Sequence, residues 1–187
     1  MLDLPRLLVV SASLLAFCAI ASPVRADQTN AELMDLFDQL EIADVGDAPA
    51  IIEKIQSAWS EHDSRTITLL FRRSLVAFEN ADTGAASQLL DHTISLAPHF
   101  AEAFVTRGAV RRATGDVNGA TTDLQRAVAL EPRHFIALRM LAELHVKEGD
   151  DRLAYEYLQQ ALRIHPKDRG AIAEAQRLLR RIDGQEI

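Results

Sequence analysis

The sequence predicts an all-α chain assembled from three copies of a 34-residue helix-turn-helix unit. Three observations carry that prediction. Pro98, Pro132 and Pro166 recur at a spacing of 34, and the same step separates Asp82, Asp116 and Asp150, then Ala86, Ala120 and Ala154, then Leu90, Leu124 and Leu158. Columns that stay in phase at one such period mark a stacked repeat. Of the 187 residues 48% are apolar but only 5% aromatic, with alanine and leucine plentiful, which suits close-packed helices better than a sheet of β-branched residues. Within each unit the apolar residues fall at helical spacing, as in Ala120, Leu124, Ala127 and Val128.

At the start of the chain, Arg6 precedes an apolar run of 15 residues from Leu7 to Ala21, and Val24-Arg25-Ala26 offers small residues for cleavage before Asp27. Residues 1–26 therefore read as a secretory signal. The run is shorter than the ~20 residues a spanning helix needs, so an uncleaved anchor, the only membrane attachment in view, is the alternative. Phe17 before Cys18 argues against lipid attachment there. With the signal removed, no cysteine remains for a disulfide, a zinc-thiolate site or a nucleophile. The mature chain keeps 18 basic and 26 acidic residues, a net charge of −8. That balance makes nucleic acid and anionic lipid poor candidates as partners, so no nucleic acid is expected.

Residues 27–66 read as a helical pair. Leu33, Leu36, Phe37, Leu40 and Val45 mark one helix, Gly46-Asp47-Ala48-Pro49 a turn, and Ile51, Ile52, Ile55, Ala58 and Trp59 a second helix. Because this turn lies about one period ahead of Ala81-Asp82, the pair is expected to be a degenerate fourth repeat or an N-terminal cap, with Trp59 in its core. Three full units follow, 67–100, 101–134 and 135–168. In each, a large apolar residue (Leu70, Phe104, Leu138) and a small one (Ser74, Gly108, Ala142) sit on the first helix, the small one letting the second helix approach. Gly115-Asp116 and Gly149-Asp150 end that helix with a left-handed glycine and cap the next. Asn80-Ala81-Asp82 replaces the turn in the first unit, with Asn80 expected to be left-handed. Proline stops the second helix. Residues 169–187 carry Ala171, Ile172, Ala175, Leu178, Leu179 and Ile182 at helical spacing, the apolar stripe of a C-terminal capping helix, as a stack with exposed ends requires.

These spacings and residue types over 67–168 resemble the tetratricopeptide repeat (TPR). The resemblance implies a right-handed α-solenoid of stacked helix pairs whose first helices line a concave groove. Where a tyrosine is usual in the first helix, Ala77, Arg111 and His145 stand instead, so those contacts must be rebuilt. By the resemblance the groove presents Phe71, Leu75 and Phe78, then Val105, Ala109 and Arg112, then Arg139, Glu143 and Val146. An extended peptide or a helix held there and anchored on Phe71 and Phe78 is the functional expectation. The plainer alternative is that the N-terminal helices cover both phenylalanines as core. The family's polar clamp for a C-terminal carboxylate is not matched, since Phe71, Leu75, Thr106, Ile136 and Met140 occupy groove places where polar residues would stand.

Arg72, Arg73, Arg107, Arg111, Arg112 and Arg139 crowd the first helices. They suit an acidic or phosphorylated partner, or pair with neighbours such as Glu79, Glu102 and Glu143. The six histidines show no metal-ligand spacing, and no phosphate loop, nucleophile elbow or paired carboxylates stand out. The sequence thus points to a non-enzymatic module with no cofactor, no metal and no small-molecule substrate. It is expected in the periplasm or secreted, binding another protein as a scaffold of the bacterial envelope, with self-association into a homo-oligomer as the alternative.

Overall fold

The computed structural model describes residues 31–185, so the signal segment 1–26 lies outside it. Nine helices are found among the described residues. They are α1 (Ala31–Ile42), α2 (Ala48–Trp59), α3 (Arg65–Glu79), α4 (Thr83–Leu96), α5 (Ala101–Thr114), α6 (Val117–Leu130), α7 (Phe135–Glu148), α8 (Asp151–Ile164) and α9 (Arg169–Gln185). The described residues are all-α, and helices α3 to α8 form three antiparallel pairs at the 34-residue step.

The turn within each pair is the same device written three times. Asp82, Asp116 and Asp150 accept hydrogen bonds from the backbone N–H of Ala85, Gly119 and Leu153 at 2.9–3.0 Å, capping α4, α6 and α8. Their own N–H groups donate back to the carbonyls of Ala77, Arg111 and His145, the longer bond of a Schellman motif. That motif needs a left-handed residue just before the aspartate. Gly115 (φ 87°) and Gly149 (φ 83°) supply it, and in the first pair Ala81 (φ 60°) does, not Asn80. The expectation for Asn80 fails because the aspartate register fixes which residue turns, and that outweighs the side chain's own preference. Gly108 is explained by packing: a Cβ there would lie 3.0 Å from Leu124 Cγ, so α5 and α6 touch more closely than a side chain permits.

The missing tyrosine column is rebuilt differently in the second and third pairs. In the second, Arg111 Nη1 donates to Asp123 on α6 at 2.8 Å, and Arg107 grips the same carboxylate with two bonds of 2.7 and 2.9 Å. Asp123 is buried among these guanidinium groups; its hydrogen bond, ahead of the opposing effect of burial, raises the Arg107 pKa. In the third pair the His145 ring stacks on Tyr157 at 5.5 Å.

Ahead of α3 in sequence, the α1–α2 pair is not ahead of it in space. Leu33, Leu36, Phe37, Leu40, Ile55 and Trp59 share one core with Phe135 and Leu138 of α7 and Ala161 of α8. Trp59 lies flat on the His134 ring at 3.9 Å, and the Arg133 guanidinium covers Phe37 at 4.1 Å. Lys167 donates to the Ile42 carbonyl and to Asp44, which lowers the Asp44 pKa. The pair therefore straddles the second and third inter-repeat turns and does not extend the stack. His134 and Phe135 decide this, because they give Trp59 of α2 an aromatic seat that the front of α3 lacks. At the other end, α9 buries Ala171, Ala175 and Leu178 against Ala142, Ala154 and Leu158, and Arg181 reaches Asp151 at 2.5 Å.

Candidate functional site

The first-helix residues expected to line the groove divide into two sets. Phe71 is fully buried, edge-on to Phe100 at 5.0 Å and packed with Ile67, Leu90 and Ala97. Its cover is the turn between α4 and α5 rather than the N-terminal helices, and Phe71 has no surface to offer a ligand. Leu75 and Phe78 are half-buried against the same cluster. Val105 is buried beside Met140, with Ala109 half-buried next to it. Neither phenylalanine stands free as an anchor in an open groove.

The second set comes together. Arg139, Glu143 and Val146 of α7 line a cleft of about 320 Å³ with Ala142, Lys147 and Leu158, and α9 closes it through Gly170, Ala171 and Glu174. Ala142, Val146, Leu158 and Ala171 form an apolar floor, and the four charged side chains form a rim of both signs. Two ion pairs hold the rim in place: Arg139 donates to Asp168 at 2.9 Å, and Arg112 reaches across from α5 to Glu143 at 2.7 Å. Gly170 sits tightly beside the first of these pairs, since a Cβ there would lie 3.3 Å from Asp168 Oδ1 and 3.7 Å from the Arg139 guanidinium. A pocket of this shape accepts one modest apolar side chain and orients the polar chain around it.

Lys147, Gly170 and Glu174 were not legible as site residues, because the helix that brings Gly170 and Glu174 to the cleft reads in sequence only as a cap. Most of the crowded arginines are used internally. Arg72 pairs with Glu61, Arg107 with Asp91 and Asp123, Arg111 with Asp123, Arg112 with Glu143 and Arg139 with Asp168. Of the acids expected to pair with them, only Glu143 does so. Asp123 was the hidden partner; its one sequence signal is an acid beside Leu124 on an apolar stripe.

Buried titratable groups gather instead at the inter-repeat turns. His134 Nδ1 accepts from the Ala137 N–H at 3.2 Å and so caps α7, which leaves the proton on Nε2 to donate to Glu102 at 2.8 Å. Burial raises the Glu131 pKa against the lowering effect of the Arg133 N–H bond, and burial lowers that of His165 against the pull of Asp168. No group of three or more His, Cys, Asp or Glu among the described residues is placed to hold a metal ion, and no described helix is long and apolar enough to cross a membrane.

Comparison with known proteins places this architecture. The family model described as tetratricopeptide repeat matches residues 111–182. A TPR repeat-containing protein of Rhizobium etli is 30% identical over 97% of this chain and 92% of its own length. Among solved structures, the first TPR of Spaghetti (RPAP3), bound to an HSP90 peptide, superposes with a TM-score of 0.61 at 16% identity, covering 65% of this chain and 96% of that one. The Yersinia enterocolitica type III secretion chaperone SycD, in complex with a peptide of the translocator YopD, gives 0.59 at 14% identity, covering 64% and 96%.

Proposed function

Because the chain belongs to the tetratricopeptide repeat family, whose fold is a scaffold for protein interaction, we propose that it holds an extended segment of another protein in the α7–α9 cleft, acting by binding and not by catalysis. The observation that carries this reading is the cleft itself: an apolar floor between α7 and α9 under a rim of fixed charges of both signs. The segment it suits places a small aliphatic side chain on Ala142, Val146, Leu158 and Ala171. An acidic neighbour would face Lys147 and Arg139, and a basic one Glu174. Two solved structures of the same fold carry peptides of other proteins, which supports a peptide as the ligand class. The apolar run and small-residue site before Asp27 support a setting in the bacterial envelope, reached by export.

A photo-crosslinking residue placed in turn at Lys147, Glu174 and Gln125, in the cell that makes the protein, tests this. Lys147 and Glu174 line the cleft, whereas Gln125 is exposed on α6. The same adduct from both cleft positions and none from Gln125 is the expected result. Adducts from Gln125 alone would contradict the reading.

A further inference from the structure

The first pair carries an unfilled stacking face. Ala103 and Val110 of α5 are fully buried against the α3–α4 pair, and Ala137 and Leu144 of α7 are fully buried against α5–α6. In the same columns α3 presents Leu69 and Val76, which are 52% and 55% exposed because no pair among the described residues stacks in front of them and α1–α2 packs elsewhere. Arg72 and Arg73 stand exposed between the two, giving an apolar, basic, apolar stripe along one face of α3. Arg72 is paired at the surface with Glu61, and Arg73 pairs with no acid among the described residues.

The matching surface is on the same chain. The outer side of α1 presents Met34 and Ile42, 50% and 76% exposed, with Asp38 between them and Glu41 alongside. Between Ala31 and Glu53 the sequence has seven acids and no lysine or arginine. At 1.5 Å per residue Met34 and Ile42 are about 12 Å apart, and Leu69 and Val76 about 10.5 Å. Each pair of apolar side chains thus brackets charges of opposite sign at a similar span. With Leu179 and Leu96 set aside, the exposed large apolar side chains of the described residues fall on these two surfaces and on Val45, which follows α1.

We propose that the front face of α3 docks the outer face of α1 from a second copy of this chain, so that copies associate through two unlike faces. The two surfaces differ, so the contact is heterologous and leaves one face of each kind open at the ends, which gives a chain of copies or a closed ring. One helix against one helix buries less than a standard stable interface, so association is weak, concentration-dependent and, through its arginine–carboxylate contacts, sensitive to salt. The inference does not depend on the α7–α9 cleft.

Sedimentation velocity of the purified protein across a wide concentration range tests it. The average mass should rise with concentration beyond the dimer and fall back toward the monomer in high salt. Leu69→Asp with Val76→Asp should abolish association, and so should Met34→Asp with Ile42→Lys, while circular dichroism shows both variants folded. An equimolar mixture of the two should give dimers and nothing larger, because each supplies the face the other lacks. Should the paired aspartates disturb α3, Arg73→Glu serves in their place, with Asp38→Arg on a second copy restoring its binding. A wild-type protein that stays monomeric at every concentration would overturn the proposal. So would an α1 variant that associates like the wild type, which would mean front-to-front pairing.

Discussion

Val76 and Leu144 stand in the same column two periods apart, yet one is more than half exposed and the other fully buried. The backbone unit around them is the same, with the same aspartate cap and the same left-handed turn. What differs is the neighbour. Leu144 packs against the α5–α6 pair, and the rest of its own pair is closed by α9 on one side and by α1–α2 at the inter-repeat turns. Nothing among the described residues stacks in front of Val76. In a repeat protein the column sets what a residue can do, and the stack sets whether it does it.

The largest effect expected from this asymmetry is at Trp59, the side chain that anchors α1–α2 on His134 and Phe135 at the second inter-repeat turn. Trp59→Ala should cost about 3–5 kcal/mol in denaturant unfolding. Hydrogen exchange should speed up in α1 and α2 and stay unchanged in α3. Equal loosening of α3 would show that the pair also braces the front, and the comparison would break there.

Next in size is the column itself. Leu144→Ala should cost about 2–5 kcal/mol, the usual loss for a large core side chain, while Val76→Ala should change stability by no more than about 0.5 kcal/mol. Similar losses at both sites, measured on dilute protein, would mean the front face is covered.

The smallest effect lies in the turns. Ala81 holds a left-handed conformation that glycine adopts freely, so Ala81→Gly should stabilise the protein by about 1 kcal/mol. Gly149→Ala at the closed end should destabilise it by a similar or greater amount. Thermal melts of the two variants should shift in opposite directions. A loss of stability in both would show that Ala81 is not under strain.

Local features of the fold were legible in the sequence because they depend on short-range rules. The aspartate caps, the glycine turns and the small residue at Gly108 each follow from a helix end or a close helix pair. Asn80 and Ala81 mark the limit: propensity favoured the asparagine, and the hydrogen-bond register chose the alanine. The seat of α1–α2 was not legible, since it depends on Trp59 meeting His134 across 75 residues of chain, and no local pattern announces that. The site divides in the same way. Arg139, Glu143 and Val146 follow from the repeat register, whereas Gly170 and Glu174 join them only because α9 folds back across α7. Phe71 sits at a groove position in the register but is core here, because Phe100 closes over it.

The contrast between the open front and the closed back is tested most directly by thiol labelling of Val76→Cys and Leu144→Cys in the native protein. It should be done at low concentration and high salt, and read by mass spectrometry of the labelled peptides. The thiol at 76 should react as fast as it does in the denatured chain, and the thiol at 144 should react only through unfolding, slower by orders of magnitude. Equal protection at the two positions would contradict the account.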